Sequence, residues 1–187
     1  MRAFTFENAT KIYFGGGCVK EPLLEAVKPY GETVMLAYGG GSIKTNGIYQ
    51  EVMDVLKLAG KQVIEFSGIM PNPTYRKVME GKKVVQENQV DLILAVGGGS
   101  VMDCSKAISM AAATDKDVWE EYWIKKGEID FEPVPVGVIV TVVGTGSEVN
   151  GEGVITHEEQ KIKTSRNYPR CNPVFAMMDP KYTYTVS

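Results

Sequence analysis

Short apolar runs recur along the chain at fairly even spacing: TVMLAY at Thr33–Tyr38, QVIEF at Gln62–Phe66, DLILAV at 91–96, VGVIVT at 136–141 and VFAMM at 174–178. Runs this short and this continuously apolar suit strands covered on both faces of a parallel sheet. Helix-period segments lie between them. Ile48, Val52, Val55, Leu56 and Ala59 recur at i, i+4, i+7, i+8 and i+11, and residues 75–87 read similarly with more charge. Strand and helix alternating over 33–113 predict right-handed βαβ units, and hence an α/β fold with a doubly wound, mainly parallel, Rossmann-like sheet. The ends are less regular. Residues 4–14 predict a hairpin or edge-strand pair leading into Gly15, Gly16 and Gly17, and the polar, Gly-rich passage after Thr141 predicts two short strands around a turn near Glu158 and Glu159.

A chain of 187 residues fits one ample domain, 1–187. At that size folding removes roughly 70% of the unfolded surface from water, so no disulfide or metal is needed to build a core. The net charge of −3 comes without runs of like charge, which argues against nucleic acid or an anionic membrane as partner. Cys18, Cys104 and Cys171 lack CxxC spacing, so neither a disulfide framework nor a zinc site is indicated, and a reducing cytoplasm is expected. The start, MRAFTFENATK, has no apolar core of a signal peptide, and the most apolar stretch, 134–144, is too short for a membrane helix.

The tetrapeptide GGGS occurs twice, each time directly after an apolar run. Gly97, Gly98, Gly99 and Ser100 precede VMDCSKAISMAAA at 101–113, a good helix by propensity, and Ser100 with Asp103 forms an S-x-x-D capping pair that marks its start. A glycine-rich turn between strand and helix leaves backbone N–H groups at the positive end of the helix dipole, which suits a phosphate. The motif is not G-x-G-x-x-G, since Met102 stands where the third glycine falls, nor is it a Walker A loop. By itself it fits a tight turn as well as a phosphate site. Gly39, Gly40, Gly41 and Ser42, followed by Lys44, end the other run without the carboxylate that commonly takes the adenosine ribose hydroxyls. That leaves room and donor capacity for an extra phosphate and favours NADP over NAD, the alternative being a flexible turn with a solvated Lys44.

Together PNPT at 71–74, GGGSVMDCSK at 97–106, TVVGTGSEVN at 141–150 and VFAMMDPKYTYTVS at 174–187 resemble the iron-containing, metal-dependent alcohol dehydrogenase family. YGGGSIKTNGIY at 38–49 brings the resemblance nearest to the butanol dehydrogenase branch, whose members reduce aldehydes with NADPH or NADH. The order and spacing of these motifs, which run from end to end, carry the likeness; no single motif would. It implies the family's dehydroquinate synthase-like N-terminal domain, with the all-helical C-terminal domain outside residues 1–187. It further implies a pyrophosphate cradle of Gly97, Gly98, Gly99 and Ser100 with Asp103 close by, and Asn72 on the adenosine side. Thr141, Thr145 and Asn150 would border the cofactor from across the cleft. Lys163 would reach a ribose, with Lys161 the alternative in the QKIK register, and Gly39, Gly40, Gly41 and Ser42 would surround the adenosine ribose and its 2′-phosphate. Simpler roles exist for several of them. Asp103 could cap its helix, Asn72 could stabilise a turn between prolines, Thr145 and Ser147 could satisfy loop backbone, and Lys163 could be solvated.

The chemistry of this family needs a divalent metal, iron or zinc, to polarise the substrate oxygen. The resemblance puts its ligands, one Asp and three His, in the helical half. Residues 1–187 hold a single histidine, His157, in a predicted hairpin turn, so no catalytic residue and no metal ligand is expected among them. The chain therefore reads as the cofactor half of an enzyme acting on a short-chain aldehyde or alcohol. NADP(H) is preferred and NAD(H) possible, Fe2+ or Zn2+ is bound only in the longer protein, and a homodimer is expected. By itself the half should bind NADP(H) without turning over alcohol and should expose an apolar face. Other readings are a glycerol dehydrogenase-like polyol oxidoreductase and a nucleotide-binding module without catalysis.

Overall fold

A computed structural model describes residue 3 and residues 8–184. Its strands are β1 (Lys11–Phe14), β2 (Thr33–Tyr38), β3 (Gln62–Phe66), β4 (Leu92–Gly97), β5 (Val136–Val140), β6 (Glu152–His157), β7 (Ile162–Asn167) and β8 (Phe175–Met178). The helices are α1 (Glu21–Val27), α2 (Ser42–Thr45), α3 (Ile48–Leu58), α4 (Tyr75–Glu87) and α5 (Gly99–Ala112), with a π-helical turn at Trp119–Ile124. Six strands form one sheet in the order β1-β8-β5-β4-β2-β3, and every neighbouring pair is parallel. The strands expected from the apolar runs are all present within a residue or so of their expected bounds.

Alternation along the strands explains why both faces are covered. Val34, Leu36 and Tyr38 of β2 join Leu92, Leu94 and Val96 of β4 in one core, closed by Leu23 and Val27 of α1 and Val52 and Leu56 of α3. Met35 and Ala37 join Ile93 and Ala95 in the other, against Val78 and Val85 of α4 and the length of α5. Helix α5 is buried from Val101 to Ala111, because the sheet covers one side and α4 and β6 the other. It is accordingly apolar or small nearly all round, as a central helix must be. Cys18, Cys104 and Cys171 are unbridged and buried, which accounts for them as core residues.

The ends add what periodicity leaves out. Of segment 4–14, residues 4–7 lie outside the described residues. Residues 11–14 form β1, a parallel edge strand that extends the sheet beyond β8, beginning with Lys11 N–H donating to the Val174 carbonyl at 3.2 Å. The expected pair of strands near Glu158 is β6 and β7, antiparallel, with Thr156 opposite Lys163 and Lys161 at a left-handed φ of 56° in the turn. One expectation about a helix start is corrected. Helix α5 begins with Gly98 as its cap and without a side-chain cap, so Ser100 and Asp103 form no capping pair; the helix starts a residue before Ser100 and Asp103 is drawn elsewhere. The side-chain cap belongs instead to Thr74, whose hydroxyl accepts from Lys77 N–H at 3.2 Å to open α4.

Gly137 lies opposite Phe175 in the β5–β8 pair, and a Cβ there would fall 2.2 Å from the Phe175 ring. The ring is buried, 3% exposed, so making room for the methyl would require its neighbours to shift. Gly137→Ala is expected to cost about 1–3 kcal/mol by overpacking, read as a lower urea midpoint with the m-value retained; an unchanged midpoint would show that the ring has room to yield.

Candidate cofactor cleft

Because all six strands run the same way, every loop that follows a strand leaves the same edge of the sheet. The chain steps outward from β2 to β3, then returns past β2 to β4 and proceeds through β5 toward β8. The direction of winding therefore reverses between β2 and β4, which pair with Tyr38 level with Val96. Loops from neighbouring strands diverge at such a point and leave a crevice outside the carboxyl ends, where ligands of α/β sheets bind. The two GGGS turns flank that crevice, 39–42 after β2 and 97–100 after β4.

The two turns are glycine-rich for different reasons. At 97–100 the neighbours require it. A Cβ on Gly97 would lie 2.6 Å from Val101, one on Gly98 would lie 3.1 Å from Val142, and one on Gly99 would lie 2.7 Å from Thr145. The glycines let the loop after β5 come down onto the start of α5. Val101 and Met102 N–H groups donate back to the Gly98 carbonyl. The N–H groups of Gly99 and Ser100, in the first turn of a fourteen-residue helix, have no intrahelical partner and sit at its positive end. At 39–42 the surroundings are open. A Cβ on Gly40 or Gly41 would meet nothing within 4 Å, whereas one on Gly39 would lie 3.2 Å from the Ile69 carbonyl oxygen. Gly41 also needs its side chain absent for its φ of 105°.

Lys44, just past the first turn, is not a free solvated cation. Its Nζ lies 3.1 Å from Glu65 Oε2, 4.4 Å from the Tyr49 ring centre and 5.2 Å from that of Tyr38. Glu65 also accepts from the Tyr38 hydroxyl at 2.5 Å and the Tyr49 hydroxyl at 2.7 Å. Those two hydroxyls, with Lys44 adding to them, hold the Glu65 carboxyl down to about 2.

The far wall is the loop after β5 together with the β6–β7 hairpin. Thr141 N–H donates to the Gly97 carbonyl at 3.0 Å, and Thr145 rests on Gly99 while its hydroxyl accepts from Ser147 N–H. Asn72, at a left-handed φ of 55°, accepts from Lys163 Nζ at 2.5 Å, so the PNP loop and β7 are tied together. Lys163 thus faces the PNP loop, whereas Lys161 occupies the turn between β6 and β7. Asp103 and Asn150 are used within the protein. Asp103 accepts from Ser147 Oγ at 2.5 Å and from Val154 N–H at 3.1 Å, and Asn150 Oδ1 accepts from Glu152 N–H at 2.9 Å.

Lys106, which sequence reasoning passed over, is the hub of this wall. It is 2% exposed and donates to the Ser147 carbonyl at 3.0 Å, Ser147 Oγ at 2.7 Å and the Asn150 carbonyl at 3.0 Å, with Asp103 at 3.7 Å. The available signal was its place three residues after Asp103 in an otherwise apolar helix. Glu65, Tyr38 and Tyr49 were passed over too; a lone carboxylate inside the run QVIEF was the clue. Asp179 follows β8 and accepts from Gly17 N–H at 2.6 Å and Lys181 N–H at 2.9 Å. His157 is half-buried, stacked on Tyr75 at 5.2 Å and 4.9 Å from Trp119. Among the described residues no group of three His, Cys, Asp or Glu side chains converges as a metal site would require.

Desolvation lowers the Lys106 ammonium from 10.5 to about 8, against the pull of Asp103. Lys106→Met strips the cation from Asp103 and its other acceptors, and is expected to destabilise by about 3–5 kcal/mol. Between pH 8 and 10.5 the unfolded chain binds the proton more tightly than the folded one, so the stability Lys106 contributes rises with pH through that window. Urea midpoints of wild type and Lys106→Met at pH 7.5, 9 and 10 check this; a difference that shrinks as pH rises would reverse the sign.

Comparison with known proteins agrees with this geometry. The sequence profile of the iron-containing alcohol dehydrogenases matches residues 9–180. A probable NADH-dependent butanol dehydrogenase of Bacillus subtilis is 44% identical over 186 residues, covering 100% of this chain and 47% of the relative. An NADPH-dependent aldehyde reductase of Escherichia coli is 38% identical, again over 100% of this chain and 47% of its own length. The crystal structure of NADH-dependent butanol dehydrogenase A from Thermotoga maritima superposes with a TM-score of 0.93 at 38% identity, covering 100% of this chain and 46% of that one. The chain thus spans about half the length of the relatives it matches. With a parallel sheet of this order, a glycine-flanked crevice at its reversal and similarity along its whole length, the chain belongs to the iron-containing alcohol dehydrogenase family.

Proposed function

We propose that residues 1–187 form the cofactor-binding half of an NAD(P)-dependent alcohol dehydrogenase or aldehyde reductase that exchanges hydride with a short-chain aldehyde or alcohol. The observation that carries this reading is the meeting of both GGGS turns at the reversal between β2 and β4. The relatives' names, butanol dehydrogenase and aldehyde reductase, support the substrate class. A homodimer in the cytoplasm belongs to the same reading.

In it, the N–H groups of Gly99 and Ser100 receive the pyrophosphate at the positive end of α5, a fit that follows from their lack of intrahelical partners. Gly97 and Gly98 allow the backbone to approach. Gly39, Gly40, Gly41 and Ser42 face the adenosine ribose, where open space at Gly40 and Gly41 leaves room for either a hydroxyl or a 2′-phosphate. Asn72 and Lys163 border the adenosine and ribose side, and Thr141 and Thr145 close the cleft from the loop after β5. Asp103 and Asn150 contribute by holding that loop, through Lys106, rather than by reaching the cofactor. A divalent iron or zinc would polarise the substrate oxygen in such an enzyme. Among the described residues no group of side chains fits one, so in this reading its ligands would lie outside residues 1–187.

Titration of the chain with ADP, NADH and NADPH, following heat and nicotinamide fluorescence, tests the cleft. Saturable binding of ADP is expected, and a folded chain that binds no ADP at millimolar concentration would sink the reading. A carboxylate placed in the open space, Gly40→Asp, is expected to weaken NADPH about tenfold more than NADH, because it faces the 2′-phosphate. Gly39 is the less clean position for this, since its new Cβ would press on the Ile69 carbonyl. Equal loss of both cofactors would remove 39–42 from the ribose end.

A further inference from the structure

The absence of a carboxylate from 39–42, with Lys44 close behind, argues from sequence for a preference for the 2′-phosphate. The structure supplies a carboxylate from elsewhere. Glu65, on the edge strand β3, is level with Leu36 of β2, and its side chain reaches Lys44 beside the open turn. Both of its oxygens are engaged, Oε1 by Tyr49 and Oε2 by Tyr38 and Lys44. Tyr38 is 3% exposed at the end of β2, so its hydroxyl is a fixed anchor. The Lys44 ammonium is therefore held on three sides, by a carboxylate and by the faces of two tyrosine rings, each of which favours a cation. Its backbone N–H donates to the Gly41 carbonyl at 2.9 Å, so the residue stands directly against the vacant floor of Gly40 and Gly41 while its charge is turned toward β3.

We propose that Glu65 is a positioning residue for cofactor choice: by pairing with Lys44 it withholds that cation, which stands beside the 39–42 turn, from an adenosine 2′-phosphate, so that the cleft accepts NADH as readily as NADPH. The proposal rests on the dinucleotide reading of the cleft. The low proton affinity of Glu65 and the raised one of Lys44, caused by the Tyr38 hydroxyl and by Glu65, are consistent with a pair that stays charged across the neutral range. A half-exposed pair of this kind is worth little to folding, so it can be rearranged without loss of the fold.

The test compares adenosine 2′,5′-bisphosphate with 5′-AMP by calorimetry on the folded chain, which isolates the 2′-phosphate from the nicotinamide. Glu65→Gln, which keeps the shape but drops the charge, is expected to raise affinity for the bisphosphate about five- to tenfold, the worth of one exposed charge-assisted contact, and to leave 5′-AMP unchanged. The gain should vanish in Lys44→Gln/Glu65→Gln. Lys44→Gln alone should change the ratio of the two affinities less than twofold, because in the wild type that cation is already taken. A Glu65→Gln ratio within twofold of wild type, a gain that persists without Lys44, or a large loss in Lys44→Gln alone would each overturn the proposal. The last of these stands even if Glu65→Gln fails to fold. A wild-type chain that binds neither nucleotide overturns the cofactor reading itself, a result distinct from binding with an unmoved ratio.

Discussion

Parallel pairing of all six strands is the constraint from which the rest follows. A parallel sheet must be covered on both faces, which explains the unbroken apolar runs and the two cores that share β2 and β4 between them. It also sends every loop after a strand to one edge. Glycines after β2, prolines after β3, glycines after β4 and the GTGSEVN loop after β5 are far apart in the chain yet meet there for this reason alone. The reversal between β2 and β4 then selects where along that edge a ligand can enter.

That edge has one rigid wall and one adaptable floor. The wall is built on Lys106, a buried cation whose four oxygen acceptors come from Ser147 and Asn150 and whose counter-charge, Asp103, is itself bonded to Ser147 and to β6. A buried charge is tolerated only when its bonds are satisfied, so the loop has little freedom to move away without exposing the ion to an unfavourable interior. The close approach of Val142 and Thr145 to Gly98 and Gly99 follows from that tie. The floor, Gly40 and Gly41, has no such neighbours, and the charged groups beside it are half in water. In the proposed reading, the adenosine ribose and any 2′-phosphate would meet this softer side of the cleft.

The fold and the cleft were legible in the sequence to different depths. Strand positions were readable because burial on both faces leaves a local mark, a continuous apolar run, and the βαβ order followed from alternation. Helix α1 and the π-helical turn carried no comparable mark; α1 shows only Pro22 near its start, and the turn packs Trp119, Tyr122 and Trp123 into the core through contacts distant in the chain. The glycine turns were visible as motifs, but the motif could not say that one set of glycines is demanded by a neighbouring loop and the other faces open space. Ser100 and Asp103 had the spacing of a cap and do not form one, since Ser147 and Val154 offer Asp103 better bonds than the helix start does. Asn72 and Lys163 meet across 91 positions of chain, a contact that no local pattern announces.

By itself, then, the sequence determined the class of fold, the order of its strands along the chain and the glycine turns that a phosphate could use, because each is encoded by neighbours within a dozen residues. Tertiary structure alone decided which side chains face the cleft free and which are bound. Lys44 looks like a spare cation in the string YGGGSIK, but Glu65, 21 residues later, lies on the adjoining strand and claims it. Lys106 looks like one more surface charge, but it is enclosed by a loop more than 40 positions away. Electrostatics depends on distance in space and on exclusion of water, and neither quantity is written in the order of residues.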